Sequence, residues 1–118
     1  MDRYVIYIRP EDVMVMLLCE PDGSVSLKTL QGLVEGHIEL TPTVLADGWS
    51  KEPGVGTVLI VNEEGKLKDL PLNHWATDLS GVFDDVIVGN AVLMGTRGEE
   101  LIGLTREAAT NIVKKWGP

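Results

Sequence analysis

The chain has 118 residues, which is enough for one compact domain that buries about two-thirds of its unfolded surface. Its 44% hydrophobic and 24% charged residues argue against disorder, and its net charge of −8 disfavours nonspecific nucleic-acid binding because no basic stripe can neutralise phosphates. Since no apolar stretch reaches the roughly 18 residues of a membrane span and no signal peptide is recognisable, we predict a soluble cytoplasmic protein.

The first half of the chain contains three predicted strands and one short helix. Residues 3–8 (RYVIYI) and 13–19 (VMVMLLC) are typical of strands, and the unbroken apolar run of the second predicts an interior strand covered on both faces. Leucines and a valine at helical spacing predict a short amphipathic helix within residues 26–34, with a serine as N-cap and Gly36 as left-handed C-cap. Residues 38–42 (IELTP) are a further strand, which proline ends.

The second half continues this mixed pattern. Residues 57–62 (TVLIVN) and 85–95 (DVIVGNAVLMG) are apolar enough to predict interior strands of the sheet, and a short helix is expected over residues 72–79, or slightly later with Asn73 as its N-cap. A C-terminal helix is predicted over residues 105–116, with a threonine as its N-cap. Five or six strands and two or three short helices without a regular βαβ rhythm predict a single α+β domain over the whole chain, with a mixed or mostly antiparallel sheet.

No catalytic signature is present in the sequence. His37 and His74 have no second histidine at helical spacing, and the single Cys19 lies in an apolar run that predicts a buried, inert thiol. A nucleophile elbow and a dinucleotide-binding loop are also missing. We therefore predict no enzymatic activity and no cofactor or metal, while a metal-dependent hydrolase that uses Glu63 or Asp85 stays a minor alternative.

Several polar and aromatic residues have two open interpretations. Asn62 ends an apolar strand and Asn73 begins a helix, so each side chain can bond its local backbone. Alternatively, both amides converge with Glu63 at the end of the strand and bind a polar ligand. Trp49 lies in the longest predicted loop, residues 46–56, and is as consistent with core packing as with stacking on a ligand.

Three segments, in order, resemble the family catalogued as domain of unknown function 3846: LQGLVEGHIEL, VLIVNEEGKLKDLPLNHWATDL and DVIVGNAVLMG. The resemblance covers roughly residues 13–95, so residues 3–8 look like an extra N-terminal strand, and Glu35 stands where a small residue is expected. It implies a small protein of bacteria, phages and mobile elements without an assigned activity. The polar family positions, where a ligand site is to be sought, are Gln31, Glu39, Asn62, Glu63, Asn73 and Thr77.

The resemblance implies two competing functions in the cytoplasm of a bacterial host. The first is non-enzymatic binding of a small polar molecule, in its sharpest form a phage sponge that sequesters a nucleotide signal of bacterial immunity. Any phosphate would then have to meet Lys51, Arg97, Arg106 or a partner subunit. The second is an acidic inhibitor that binds a host defence protein, as an anti-restriction protein does. Neither function involves direct contact with nucleic acid or a membrane.

The assembly state is also open to prediction from the strand pattern. Nearly all of the predicted strands are apolar on both faces, and few helices are available to cover them. A second copy of the chain would provide the missing cover, so we predict a homodimer or a higher homo-oligomer.

Overall fold

One sheet of seven strands and three α-helices build the protein in a computed structural model that describes all 118 residues. The predicted α+β class is confirmed, and the sheet has seven strands where five or six were expected. In chain order the strands are β1 (Arg3–Arg9), β2 (Val13–Leu18), β3 (Ile38–Pro42), β4 (Gly56–Asn62), β5 (Ala91–Arg97), β6 (Glu100–Ile102) and β7 (Leu104–Thr105), and the helices are α1 (Leu27–Val34), α2 (His74–Leu79) and α3 (Arg106–Trp116).

All strand pairings in the sheet are antiparallel, and the main strand order is β2-β1-β5-β4-β3. The short β6 and β7 pair with β5 and β1 at one end. The strand predicted for residues 3–8 therefore lies in the interior of the sheet between β2 and β5, and it is not an addition to the fold's margin. Residues 57–62 are also an interior strand, as predicted.

β2 contradicts the prediction that its apolar run is covered on both faces. It pairs only with β1 and forms an edge of the sheet, where Val15 is 42% and Leu18 is 63% exposed. The prediction was wrong because a continuous apolar sequence shows only that the side chains of a strand are apolar. It does not show whether the backbone of that strand has a hydrogen-bonded neighbour on each side.

Alternating residues of the strands form two separate cores. On one face of the sheet, Ile8, Leu59 and Leu93 belong to the larger cluster, which includes residues of α2 and α3. On the other face, the smaller cluster includes residues of β1, β4 and β5 together with Leu30 and Val34 of α1. None of the helices is long and apolar enough to span a membrane.

Side-chain caps confirm the predicted starts of α1 and α3, whereas α2 begins at His74, two residues later than the first expectation, with Asn73 as its N-cap. Ser26, Asn73 and Thr105 each accept a hydrogen bond from a backbone N–H in the first turn of α1, α2 and α3. The left-handed residue at the end of α1 is Glu35, with φ of 64°, and not the predicted Gly36. Glu35 thus adopts αL at the position where the family resemblance predicts a small residue, and among small residues glycine tolerates this conformation at least cost because it has no Cβ.

The strand predicted for residues 85–95 is shorter in the structure, because β5 begins only at Ala91. The preceding residues form a loop in which Gly89 has φ of 77° and donates its N–H to the Pro71 carbonyl over 2.7 Å. Such a left-handed glycine ends the extended conformation that its apolar neighbours favour. The predicted long loop of residues 46–56 contains a 3₁₀-helix, Asp47–Ser50.

Candidate functional site

A groove of about 210 Å³ lies where β4 ends, between the edge strand β3 and the loop that precedes β5. Because Glu39 of β3 is paired with Val61 of β4, both side chains lie on the same face of the sheet. Val61 joins other apolar side chains of the lining, whereas the charged residues of the groove come from three different segments. These charged residues are Glu39, Glu63, Lys66 and Asp85.

Asn62 lines the groove, but its amide group is occupied within the fold. Its Nδ2 donates to the carbonyls of Val34 at 3.0 Å and Glu35 at 3.2 Å, and its Oδ1 accepts the N–H of Glu64 at 2.8 Å. The residue is only 6% exposed. Asn62 therefore fastens the end of α1 to the end of β4 and shapes the turn that carries Glu63 into the groove.

Asn73 has an analogous role behind the groove. Its Nδ2 donates to the carbonyls of Ile8 at 3.1 Å and Gly89 at 2.8 Å, and its Oδ1 accepts the N–H of Ala76 at 3.0 Å. The side chain is fully buried, and it is not among the residues that line the groove. Asn73 joins β1, α2 and the loop before β5, which corresponds to the structural interpretation of this asparagine.

Thr77, on α2, also binds the loop that precedes β5. Its Oγ1 donates to the Asn73 carbonyl over 2.8 Å and accepts the N–H of Ile87 over 2.9 Å. Since Ile87 lines the groove, Thr77 positions one wall without contacting the space itself. The structure therefore brings Glu39, Asn62 and Glu63 together at the groove and leaves Thr77 and Asn73 as supports of its wall.

Two of the predicted site residues lie elsewhere. Gln31 is half-buried on α1 and is absent from the groove lining. Trp49 packs against the larger core and meets Trp116 of α3 edge to face, with 6.4 Å between the ring centroids. The packing interpretation of Trp49 is the one that its contacts favour.

The sequence did not single out an ion pair between two residues that line the groove. Lys66, from the turn after β4, donates to Asp85, which lies 19 residues further along the chain. The hydrogen bond from Lys66, followed by that from the backbone of Val86, lowers the pKa of the Asp85 carboxyl. The only available signal was the acidic pair Asp84-Asp85, because nothing in the local pattern reveals a contact between two loops.

Exposed apolar side chains either line the groove, as Leu67, Val82 and Val86 do, or adjoin a lining residue in the chain, as Phe83 does. Leu67 is 86% exposed and Phe83 is 89% exposed, while the neighbouring Val82 and Val86 are 40% and 42% exposed. Single exposed apolar residues are ordinary, but several beside one concave surface are typical of a binding region.

Four charged side chains outside the groove, those of Arg3, Glu52, Arg97 and Arg106, contact other parts of the fold. Arg3 forms a two-pronged ion pair with Glu52 at 2.6 and 2.8 Å, and Arg97 approaches the same carboxylate at 3.5 Å. The hydrogen bond with Arg3 lowers the pKa of the Glu52 carboxyl. Arg106 lies over the Tyr4 ring, 5.2 Å from its centroid. Arg97 and Arg106 are therefore not part of the groove.

The remaining candidate for chemistry, Cys19, is a buried thiol as predicted. Burial raises its pKa to about 11, so the thiolate is scarce near neutral pH. No three side chains of His, Cys, Asp or Glu come together in a cluster that could hold a metal ion.

Comparison with protein families finds a match to the domain of unknown function (DUF3846) over residues 2–117. The chain belongs to this family. The match is longer than the span of about 13–95 predicted from the sequence, so β1 and α3 are parts of the family domain. Searches of curated proteins and of solved structures found no match.

Proposed function

We propose that this DUF3846 protein binds a small polar molecule, without converting it chemically, in the groove between β3 and the loop before β5. The observation that supports this function is the difference between two kinds of polar group at the site. The amide of Asn62 is fully hydrogen-bonded to the backbone of the protein. Glu39 and Glu63, in contrast, are exposed carboxylates that have no hydrogen-bonded partner and lie beside apolar walls. Groups of the second kind are available to a ligand.

The charges and size of the groove favour a particular ligand chemistry. Three carboxylates and one ammonium favour hydrogen-bond donors, such as sugar hydroxyls and the amino groups of bases, over a bare phosphate. At about 210 Å³ the groove is smaller than the roughly 300–1,000 Å³ that encloses a drug-sized molecule. It would therefore enclose one base or one sugar and leave the rest of a larger ligand in solvent.

In its specific form the proposal is a phage-type sponge that sequesters a nucleotide immune signal in the cytoplasm of a bacterial host. The exposed Val82 and Val86 offer apolar surface to a base, and Glu39 or Glu63 can accept hydrogen bonds from ribose. A phosphate would meet Lys66 in competition with Asp85, the present partner of that ammonium.

A thermal-shift panel of nucleosides, nucleotides, cyclic dinucleotides and ADP-ribose derivatives tests this function. A ligand at 100 times its dissociation constant stabilises the native state by about 2.7 kcal/mol, which raises the melting temperature measurably. The Glu63→Gln variant should lose about 1–3 kcal/mol of affinity because one acceptor oxygen becomes an amide. Glu99→Gln, an exposed change outside the groove, should respond as the wild type does.

Two results would contradict the assignment of this function to the groove. One is a panel in which no compound shifts the wild type. The other is a ligand whose effect on Glu63→Gln equals its effect on the wild type and on Glu99→Gln, since the binding would then lie elsewhere.

A second candidate function, inhibition of a host defence protein, is favoured by a separate observation. Leu67, which lines the groove, is 86% exposed, and Phe83, which follows the lining residue Val82 in the chain, is 89% exposed. An aromatic anchor with a charged surround is a common arrangement at protein interfaces. Under this alternative, Phe83→Ala would abolish capture of the partner protein and leave the small-molecule panel without effect on the wild type.

A further inference from the structure

The two edges of the sheet differ in how their backbone groups are used. At the β3 edge, the Pro42 carbonyl already accepts the N–H of Gly81 over 2.8 Å, and proline offers no N–H of its own. The charged Glu39 also lies in this short strand. Such features are typical of edges that resist pairing with another chain. β2 has none of them, since its six residues, VMVMLL, contain no charge, no proline and no glycine.

The hydrogen bonds of β2 identify the backbone groups that face away from the sheet. The Cys19 N–H donates to the Arg3 carbonyl over 2.9 Å, so residue 19 faces β1. Because the direction alternates along an antiparallel strand, the odd-numbered residues of β2 also face β1. The N–H and C=O groups of Met14, Met16 and Leu18 consequently point outward, and no turn or loop of the chain bonds them.

We propose that β2 is the contact through which two copies of this chain associate, pairing antiparallel about a two-fold axis so that the two sheets become one. Each outward-facing residue must then oppose an outward-facing residue of the second copy. In one symmetric register, the two-fold axis passes between Val15 and Val15 of the second copy. In this register centred on Val15, Met14 opposes Met16 of the second copy and Val13 opposes Leu17. Every pair within the strand is apolar on both sides.

The residues that flank β2 select this register over the next symmetric one. A register centred on Met16 would bring Asp12, which precedes β2, close to Glu20 of the second copy, which follows it, at both ends of the contact, and neighbouring like charges are destabilising. The register centred on Val15 shifts the two strands by two residues and moves these acids apart.

The occupant is a second copy because the edge is complementary to itself. Two chains that each carry a net charge of −8 repel, and the uncharged β2 edge is where they can approach at least electrostatic cost. Pairing covers side chains that a lone chain leaves 42% exposed at Val15 and 63% exposed at Leu18. A two-fold contact also pairs the β2 edge of each copy with the β2 edge of the other. No β2 edge then stays free to pair with further copies and form longer aggregates.

Multi-angle light scattering tests the contact at Val15, the residue on the proposed axis. The wild type is expected at twice the 12.9 kDa of one chain. Val15→Lys and Val15→Glu should each fall to one chain, because two equal charges then oppose each other at the axis. An equimolar mixture of the two variants should recover the double mass, since the axis now joins opposite charges.

Val44→Lys is the matched control, because Val44 is a valine of similar exposure, 48%, that lies outside β2. It should keep the mass of the wild type, and thermal unfolding of each variant verifies that the fold is retained. A wild-type mass of one chain at micromolar concentration would overturn the proposal, and so would folded Val15 variants that keep the double mass. Failure of the mixture to recover it would overturn the register centred on Val15.

Discussion

Replacing Asn73 with alanine is expected to lower the free energy of unfolding by about 3–5 kcal/mol, as measured by urea denaturation. The substitution removes the amide that donates to the buried carbonyls of Ile8 and Gly89, and loss of a buried hydrogen bond costs about 1–3 kcal/mol. It also removes the side-chain cap of α2, which contributes about 1 kcal/mol. The loss should be the same with and without ligand, because Asn73 supports the groove without lining it.

Two variants separate these contributions. Asn73→Ser retains a hydroxyl that can cap α2 and lacks the amide donors, so its cost should fall between that of Asn73→Ala and zero. Thr105→Ala removes only the cap of α3 and should cost about 1 kcal/mol. If Asn73→Ala proves no more destabilising than Thr105→Ala, the buried bonds to β1 and the loop before β5 do not hold the structure as described.

Replacing Gly36 with alanine is expected to cost about 2–4 kcal/mol of stability. An added Cβ would lie 2.6 Å from Nδ2 of Asn62, the amide that bonds the carbonyls of Val34 and Glu35. Since the amide is fixed by three hydrogen bonds, it cannot move aside without leaving buried polar groups unpaired. Glycine is needed at this position for space, as its backbone φ is not in the left-handed region.

Gly32→Ala is the control for this collision, because nothing lies within 4 Å of a Cβ added there. It should stabilise α1 by about 0.5–1 kcal/mol through helix propensity alone. A double-mutant cycle then isolates the cause, since Gly36→Ala should cost little in an Asn62→Ala background. An equal cost in both backgrounds would mean that the contact with the Asn62 amide is not what excludes a side chain.

The sequence predicted most of the elements but not their neighbours. Capping residues such as Ser26 and Thr105 act within one turn of helix, so a local pattern was sufficient to locate the starts of α1 and α3. The position of a strand in the sheet depends on pairing between distant residues, which no local pattern encodes. For this reason β2 was placed in the interior and the N-terminal β1 was taken for an extra strand.

The site could be predicted only in part, for a related reason. Asn62 and Glu63 are consecutive, so their shared location followed from the end of one strand, and the family resemblance added Glu39. Lys66 and Asp85 meet only because the loop before β5 folds back over the turn after β4, and that closure depends on buried bonds such as those of Asn73. A polar residue at a strand or helix end has the same sequence signature whether it faces a ligand or the backbone.

The central claim is that the groove holds a small molecule, and native mass spectrometry of the protein purified from bacterial lysate tests it most directly. Val86→Trp should fill the groove from an exposed wall position, whereas Val44→Trp adds the same bulk at a similarly exposed valine outside it. We expect a bound small mass on the wild type and on Val44→Trp, and none on Val86→Trp. No small mass on the wild type, or one that Val86→Trp retains, would contradict the claim.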